Sequence, residues 1–453
     1  MADKPQLFGT DGVRGVAGKH PLDLPTIWRL GRAVGCVLGR ERGARAGQVV
    51  LGEDTRESSS WISRVLTSGL RASGVDVTYA GVITTPGVAF LTRHHSFAAG
   101  IVISASHNPF GDNGIKILSS TGMKLGEGVE LAIERELAQT DSAPSTAGDE
   151  ILIPDPHLVE HYIEYLVGLA GDTNHLSPLR LVIDCAHGAS SRIAPRVLER
   201  LGIKARVLHA EPSGRNINLG CGSLHPEEMV AETKSRAADL GVAFDGDADR
   251  AIFATSHGRL SDGDHVLYAC GLNLHQHGRL KGRSIVGTLM TNLGLEMAVG
   301  RHGVGLRRTA VGDKYVLEEM QRSGINLGGE PSGHIIFADI TLAGDGLITM
   351  LQLLRLIGET GRSLEELVSG LKQFPQIIRN VRVREKPPLD TLPQVADAIA
   401  ACKREFADRG RVVVRYSGTE KLARVMVEAE DAEAVERHAA LIAGAIGATI
   451  GAS

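Results

Sequence analysis

The sequence predicts an α/β protein of several domains, closed at its C-terminal end by a smaller α+β unit. Three observations carry this. Short β-branched runs alternate with helical patterns over most of the chain, as in α/β units with buried strands. The alternation restarts near residue 181 and again near 284. Beyond residue 372 it gives way to strands that follow one another, with a helix at the very end. The 453 residues exceed one ordinary domain and suggest roughly three or four.

The elements follow in order. Residues 48–52 read as a strand, 58–73 as a helix, 75–79 as the next strand and 101–104 as a strand running into a polar loop. The second block has a strand at 181–184, a loop at 185–191 and a helix near 194–201. The third has a strand at 284–288 and a helix after Asn292. The last unit has strands at 377–383, 411–415 and 423–428, with a helix from Ala432. Residues 140–149 (TDSAPSTAGD) are small and polar and read as a boundary; 384–393 is a Pro-rich strand-to-helix loop. The expected domains are 1–154, 155–256, 257–371 and 372–453.

Hydrophobic residues make up 43% and charged residues 23%, a globular balance. Lys and Arg total 49 against 53 Asp and Glu, a formal charge of −4. That excludes the basic excess of a nucleic-acid binder. An anionic ligand must then be held by local Arg and backbone N–H groups. The five cysteines are scattered, without a C-x-x-C pair, which suits a reducing cytoplasm. No signal-peptide run and no bilayer-length apolar stretch is present, so a cytoplasmic location without a membrane partner is expected.

Five loops carry chemistry. In 104–116 (SASHNPFGDNGIK) a strand delivers Ser106 and His107 to a sheet edge, where a serine can act as nucleophile or phosphoryl carrier. A plain Ser-Asn-Pro turn is the alternative. In 245–250 (DGDADR) three carboxylates at alternate positions can converge on one hard cation such as Mg²⁺. The spacing resembles the start of an EF-hand, but Arg250 stands where that loop needs glycine. In 328–334 (GGEPSGH) Glu330 and Ser332 can bond sugar hydroxyls, and His334 can titrate near neutrality. In 415–419 (RYSGT), with Arg424 nearby, hydroxyls, open N–H groups and guanidinium forks suit a phosphate dianion. In 10–15 (TDGVRG) Arg14 sits between glycines. Residues 54–56 (DTR) read as a helix-capping segment, with Ser58 and Ser59 as N-cap candidates.

Taken together these loops resemble the α-D-phosphohexomutase family. The matching segments are FGTDGVRG, ISASHNPFGDNGIK, DGDADR, VGDKYV (311–316), GGEPSGH and RYSGTE, in the family's order over nearly the whole chain. FGTDGVRG and VGDKYV look closest to the branch acting on glucosamine phosphate. The resemblance implies three related α/β domains with mixed sheets and a smaller phosphate-binding α+β domain around a central cleft. It implies that the carrier is Ser106 and not Ser104. It implies a Mg²⁺ ion, one per chain, on Asp245, Asp247 and Asp249, with the phosphorylated Ser106 completing the shell. Glu330 and Ser332 would hold the sugar, Arg415, Ser417, Gly418 and Thr419 its distal phosphate, and Arg250, Lys314 and Arg424 would add to substrate binding. Proton carriers would be Lys116, His334, His107 and Arg14, in that order; Lys116 requires a lowered pKa, which a nearby Arg would favour.

The implied reaction moves a phosphoryl group between positions 6 and 1 of glucosamine phosphate through glucosamine 1,6-bisphosphate, feeding UDP-N-acetylglucosamine and cell-wall precursors. The implied partner is a small sugar phosphate, with a homodimer as the candidate assembly. Mannose and glucose phosphates are alternative substrates, because Pro331 occupies the position where the branches differ and offers no hydrogen bond to an amino group. A phosphatase or a non-catalytic sensor are further alternatives, though a sensor would be expected to lack Ser106 or the aspartates. His187, in DCAHGA, replaces the family's usual Asn.

Overall fold

The structure is a computed structural model that describes residues 7–9, 11–42, 47–139, 148–171, 176, 178–417 and 421–452. Four sheets follow one another along the chain. The first holds β1 (Val13–Val16), β2 (Val49–Glu53), β3 (Val77–Val82), β4 (Ala99–Ile103) and β5 (Asp112–Ser119), in the order β1-β5-β4-β2-β3. The second holds β6 (Arg180–Asp184), β7 (Lys204–Leu208), β8 (Leu240–Phe244), β9 (Ala251–Thr255) and β10 (Leu260–Ser261), in the order β10-β9-β8-β6-β7. The third holds β11 (Ser284–Thr288), β12 (Gly305–Thr309), β13 (Leu327–Gly329) and β14 (Ile335–Phe337), in the order β12-β11-β13-β14. The fourth is wholly antiparallel: β15 (Gln376–Arg382), β17 (Leu422–Ala429) and β16 (Gly410–Tyr416), with β17 in the middle.

The first three sheets share one plan. Three parallel strands run with the earliest in the centre (β3-β2-β4, β7-β6-β8 and β12-β11-β13). A fourth strand then turns back antiparallel beside the third (β5, β9 and β14). This is the mixed-sheet α/β arrangement expected, and the shared order makes the three restarting blocks variants of one unit. The apolar strands β2, β4, β8 and β9 are buried along their whole length, as a sheet covered on both faces requires.

That plan positions the chemistry. In every unit the third strand reaches the reversed fourth through a short loop. Those loops are residues 104–111, 245–250 and 330–334, three of the segments singled out above.

Most expected elements lie where the sequence puts them, within about two residues. β13 takes in Gly328 and Gly329, which pair with Ile336 and Ile335 instead of belonging to the loop read at 328–334. The expected boundary lies mostly outside the described residues, since 140–147 are not among them. One apolar core runs through the second and third domains and takes in one face of the first sheet through Val50, Ala80 and Val102. The C-terminal unit has a core of its own, built on Val395, Val425, Val427 and Ile442.

Candidate active site

Ser106 is buried and held in the left-handed region at φ 54°. That conformation is unfavourable for a residue with a Cβ and persists only when its surroundings dictate it. Two donors grip its carbonyl oxygen: Arg56 Nη2 at 2.9 Å and, from the second domain, Asn218 Nδ2 at 2.9 Å. The same two side chains also hold the Asn108 carbonyl, at 2.9 and 3.1 Å. Arg56 is fully buried, paired with Asp54 at 2.9 Å, and donates to the carbonyls of Pro109 and Asp112 as well. Residues 54–56 are therefore a scaffold for the serine loop and not the helix cap expected. Ser58 makes no side-chain cap for helix Ser59–Ala72; its hydroxyl accepts a bond from Asn113.

The second domain brings its loop directly onto the serine. Gly246 packs so closely on the Ser106 carbonyl that a Cβ there would lie 2.5 Å from the oxygen. Ser106 Oγ donates to Asp245 Oδ2 at 2.6 Å and lies 3.3 Å from His107 Nδ1. Asp245, Asp247 and Asp249 are buried, and one oxygen from each lies within 4.8 Å of the others. Burial, with the facing charges of Asp249 and Asp247, pushes Asp245 well above the ordinary carboxyl range. Among the described residues, Oδ1 of Asp247 and Oδ1 of Asp249 are buried without a hydrogen-bond partner. Three converging carboxylates, two of them with an unpartnered oxygen, fit a hard divalent cation, which the chemistry of this donor set favours.

Lys116 reaches the same acids from β5. Its Nζ lies 2.7 Å from Asp247 Oδ2, 3.4 Å from Asp11 Oδ2 and 3.9 Å from Asp249 Oδ2. Burial would lower its pKa, but Asp11, Asp247 and Asp249 outweigh burial and hold it above the usual lysine range. The sequence-based expectation of a lowered pKa is thus reversed: carboxylates, not arginines, dominate its surroundings. Arg14, on β1, is hydrogen-bonded to Asp11. His107 is the opposite case. Burial, then the charges of Arg250 and Arg14, lower it to about 4. Its Nδ1 faces Arg250 Nη1 at 3.3 Å, the contact of a neutral, accepting imidazole. His334 is buried; Asp249, with Nδ1–Oδ2 at 3.6 Å, and Asp313 outweigh burial and raise its pKa.

Of these groups Asp11, Lys116, Asp249 and His334 border a cleft of about 210 Å³, whose walls also include Lys124 and Lys314. Lys124 spans from Asp11 Oδ1 to Asp313 Oδ2, 2.7 Å to each, and Lys314 Nζ lies 3.2 Å from Glu127, so the first and third domains meet along one rim. In the third-domain loop, Glu330 Oε1 accepts from the Gly312 N–H at 3.0 Å, while Ser332 is exposed.

The C-terminal residues form a separate cluster. Arg415 and Arg424 face each other in the β16–β17 register. Ser417 donates its N–H to the Leu422 carbonyl at 2.8 Å, and its own carbonyl accepts from Lys386 Nζ at 2.7 Å. Gly418 and Thr419, like Thr10 in the first motif, lie outside the described residues. The structure thus joins Ser106, His107, Lys116, Arg14, the three aspartates, Arg250 and His334 in one place, and sets Arg415 and Arg424 on the last sheet with Ser417 just past the end of β16.

Sequence reasoning missed Arg56, Asn218 and Thr85. Thr85 donates its hydroxyl to Asp247 Oδ2 from the start of helix Thr85–His94. The cluster of polar residues at 54–59 was the one available signal for Arg56.

Comparison with known proteins gives consistent results. The description "Phosphoglucomutase/phosphomannomutase, alpha/beta/alpha domain I" matches residues 5–144, domain II 160–258, domain III 262–374 and the C-terminal domain 379–445. A phosphoglucosamine mutase from Koribacter versatilis is 49% identical over 99% of this chain and 98% of its own. A family protein of known structure from Burkholderia thailandensis superposes with a TM-score of 0.78 at 25% identity, covering 99% of this chain and 98% of that one. An Aspergillus fumigatus N-acetylphosphoglucosamine mutase, solved with GlcNAc-6P and magnesium, shares the fold at a TM-score of 0.67 and 17% identity, over 98% and 96% of the two chains.

Proposed function

The chain belongs to the phosphoglucomutase/phosphomannomutase family and has the phosphoglucosamine mutase activity of its near full-length relatives at 42–49% identity; on that premise we propose how its residues perform the reaction. The observation that carries the proposal is the 2.6 Å bond from Ser106 Oγ to Asp245, beside two further acids with unpartnered oxygens.

Ser106 carries the migrating phosphoryl group. Asp245, Asp247 and Asp249, with a phosphate oxygen on Ser106, would hold Mg²⁺, which would neutralise charge on the transferring group. Glucosamine 6-phosphate binds with its phosphate on Arg415, Ser417, Gly418, Thr419 and Arg424, its sugar hydroxyls on Glu330 and Ser332, and Arg250 and Lys314 on its flanks. The bond from phosphorus to Ser106 Oγ breaks as one to the sugar O1 forms; O1 loses its proton and Ser106 Oγ, the leaving oxygen, takes one up. The resulting 1,6-bisphosphate turns over in the cleft. Its 6-phosphoryl group then returns to Ser106, whose hydroxyl gives up its proton as the bond from phosphorus to O6 breaks and O6 takes one up. Lys116, already charged among the acids, can give a proton to the leaving oxygen but cannot take the one that O1 loses; of the remaining candidates, His107 is held neutral and can accept it, with His334 and Arg14 following. The setting is cytoplasmic and the product feeds UDP-N-acetylglucosamine synthesis.

The test is Ser106→Ala supplied with glucosamine 1,6-bisphosphate and Mg²⁺. Interconversion at the wild-type rate would refute a serine carrier. Relative rates on glucosamine, mannose and glucose 6-phosphates rank the sugars at Pro331.

A further inference from the structure

The second domain carries a group of side chains that the mutase reaction leaves unused. Asp184 ends β6, His209 follows β7, and Cys221 lies on the loop before helix Glu227–Ser235. Asp184 and Cys221 are buried and His209 is half-buried. One ligand atom from each lies within 4.8 Å of the other two.

The histidine is already oriented. Its Nδ1 faces Asp184 Oδ2 at 3.0 Å but makes no aligned hydrogen bond. Its Nε2 faces Glu228 Oε2 at 3.3 Å. With Nε2 donating to Glu228, the unbonded Nδ1 is free to offer its lone pair to an ion beside Asp184. That is how a metal-ligating imidazole is held in place, with its far nitrogen donating to a carboxylate.

The donor set differs in kind from the three aspartates. Oxygen ligands alone suit Mg²⁺, whereas one carboxylate, one imidazole and one thiolate suit Zn²⁺. We propose that Asp184, His209 and Cys221 bind a zinc ion, with water in the fourth position. On binding, the Cys221 thiol gives its proton to solvent and the sulfur becomes a zinc ligand.

Such an ion would brace the serine from behind. Asp184 Oδ2 also accepts from the Gly222 N–H at 2.9 Å, so the carboxylate already links β6 to the Cys221 loop. Asn218, three residues before Cys221, donates its N–H to the Ala186 carbonyl at 3.0 Å and its side chain to the Ser106 carbonyl at 2.9 Å. Ala186, His187, His209 and Asn218 all have φ between 48° and 58°, a concentration of strained backbone that needs support from side chains. Zinc would fasten together the two loops that carry it.

The experiment is a Co²⁺ titration of the full-length protein in excess Mg²⁺, read by absorption. Only a thiolate ligand gives a sulfur-to-cobalt charge-transfer band, so the all-oxygen site is silent. The expected result is that band saturating at about one equivalent, displaced by Zn²⁺, absent in Cys221→Ser and weakened at least about tenfold in affinity in His209→Gln. Should either variant fail to fold, alkylation of the native protein with peptide mapping decides: zinc is expected to protect Cys221. No band in the wild type, a band retained in Cys221→Ser, or Cys221 labelled equally with and without zinc would each overturn the site.

Discussion

Arg56 Nη2 lies 2.9 Å from the carbonyl oxygen of Ser106, fifty residues further along the chain. A guanidinium has five donors in a rigid fork, and here they go to Asp54, to three main-chain carbonyls of the serine loop and to that of Asp112 at the start of β5. Lysine cannot reproduce that fork. Arg56→Lys should keep the charge opposite Asp54 yet loosen Ser106, lowering kcat about a hundredfold for a displacement of order 1 Å. Arg56→Ala, which leaves Asp54 buried and unpaired, should cost about 3–5 kcal/mol of stability. Urea unfolding and the mutase assay separate the two effects; an unaltered kcat in folded Arg56→Lys would refute the positioning role.

Removal of the carrier should be close to total. Ser106→Ala is expected to lose at least a thousandfold in kcat, roughly what deletion of a covalent nucleophile costs. Intact mass spectrometry should find a phosphorylated fraction in the wild type and none in the variant.

Asp345 predicts a pH signature in stability. Burial raises its carboxyl to about 6. It accepts from Tyr162 at 2.7 Å and caps helix Gly346–Thr360 through the N–H groups of Leu347 and Ile348. A carboxyl raised on folding stabilises the fold below its unfolded value of 3.8, and that contribution is lost as pH rises to about 6. The loss amounts to roughly 3 kcal/mol at most. Relative to Asp345→Asn, the wild type should therefore lose stability between about pH 4 and pH 6 and run parallel above pH 7. Equal slopes through the acid range would contradict this.

Glu428 joins the C-terminal unit to the third domain. Buried on β17, it accepts from the Leu293 N–H at 2.9 Å and from Arg411 Nε at 2.9 Å. Arg411 in turn donates to the carbonyls of Leu289 and Thr291. Glu428→Gln should cost about 1.5–3 kcal/mol, the range for a hydrogen bond to a charged group. Because the last unit has its own core, it should then melt ahead of the rest. Calorimetry would show a second, earlier transition; one unsplit transition would argue that the joint lies elsewhere.

Divalent metal dependence follows from the three aspartates. EDTA should abolish turnover and Mg²⁺ restore it. Asp247→Asn should need more Mg²⁺ for half-maximal rate, as read from a metal titration of activity.

The loops at 104–116 and 245–250 are legible because their chemistry depends on side chains close together in sequence. What supports them is not. Arg56 and Asn218 act on main-chain carbonyls 50 to 112 residues away, and beyond the polar run at 54–59 around Arg56 nothing in their own neighbourhood marks that duty. Thr85 meets Asp247 across 162 positions. Lys116 is read with the wrong sign because the acids around it come from residues 11, 247 and 249, separated in the chain and convergent only after folding. Gly328 and Gly329 suggest a turn by composition, yet pairing with β14 makes them strand.

Gly246 seated on the Ser106 carbonyl has an implication for how the molecule comes into being. Nucleophile and acids belong to different domains, so neither domain possesses half an enzyme in any useful sense. A ribosome must release some 250 residues before the reacting centre can exist. Splitting the chain in the region of 140–149 would yield two fragments, each inert by itself, whose activity would return only as they reassociate and would rise with the concentration of both.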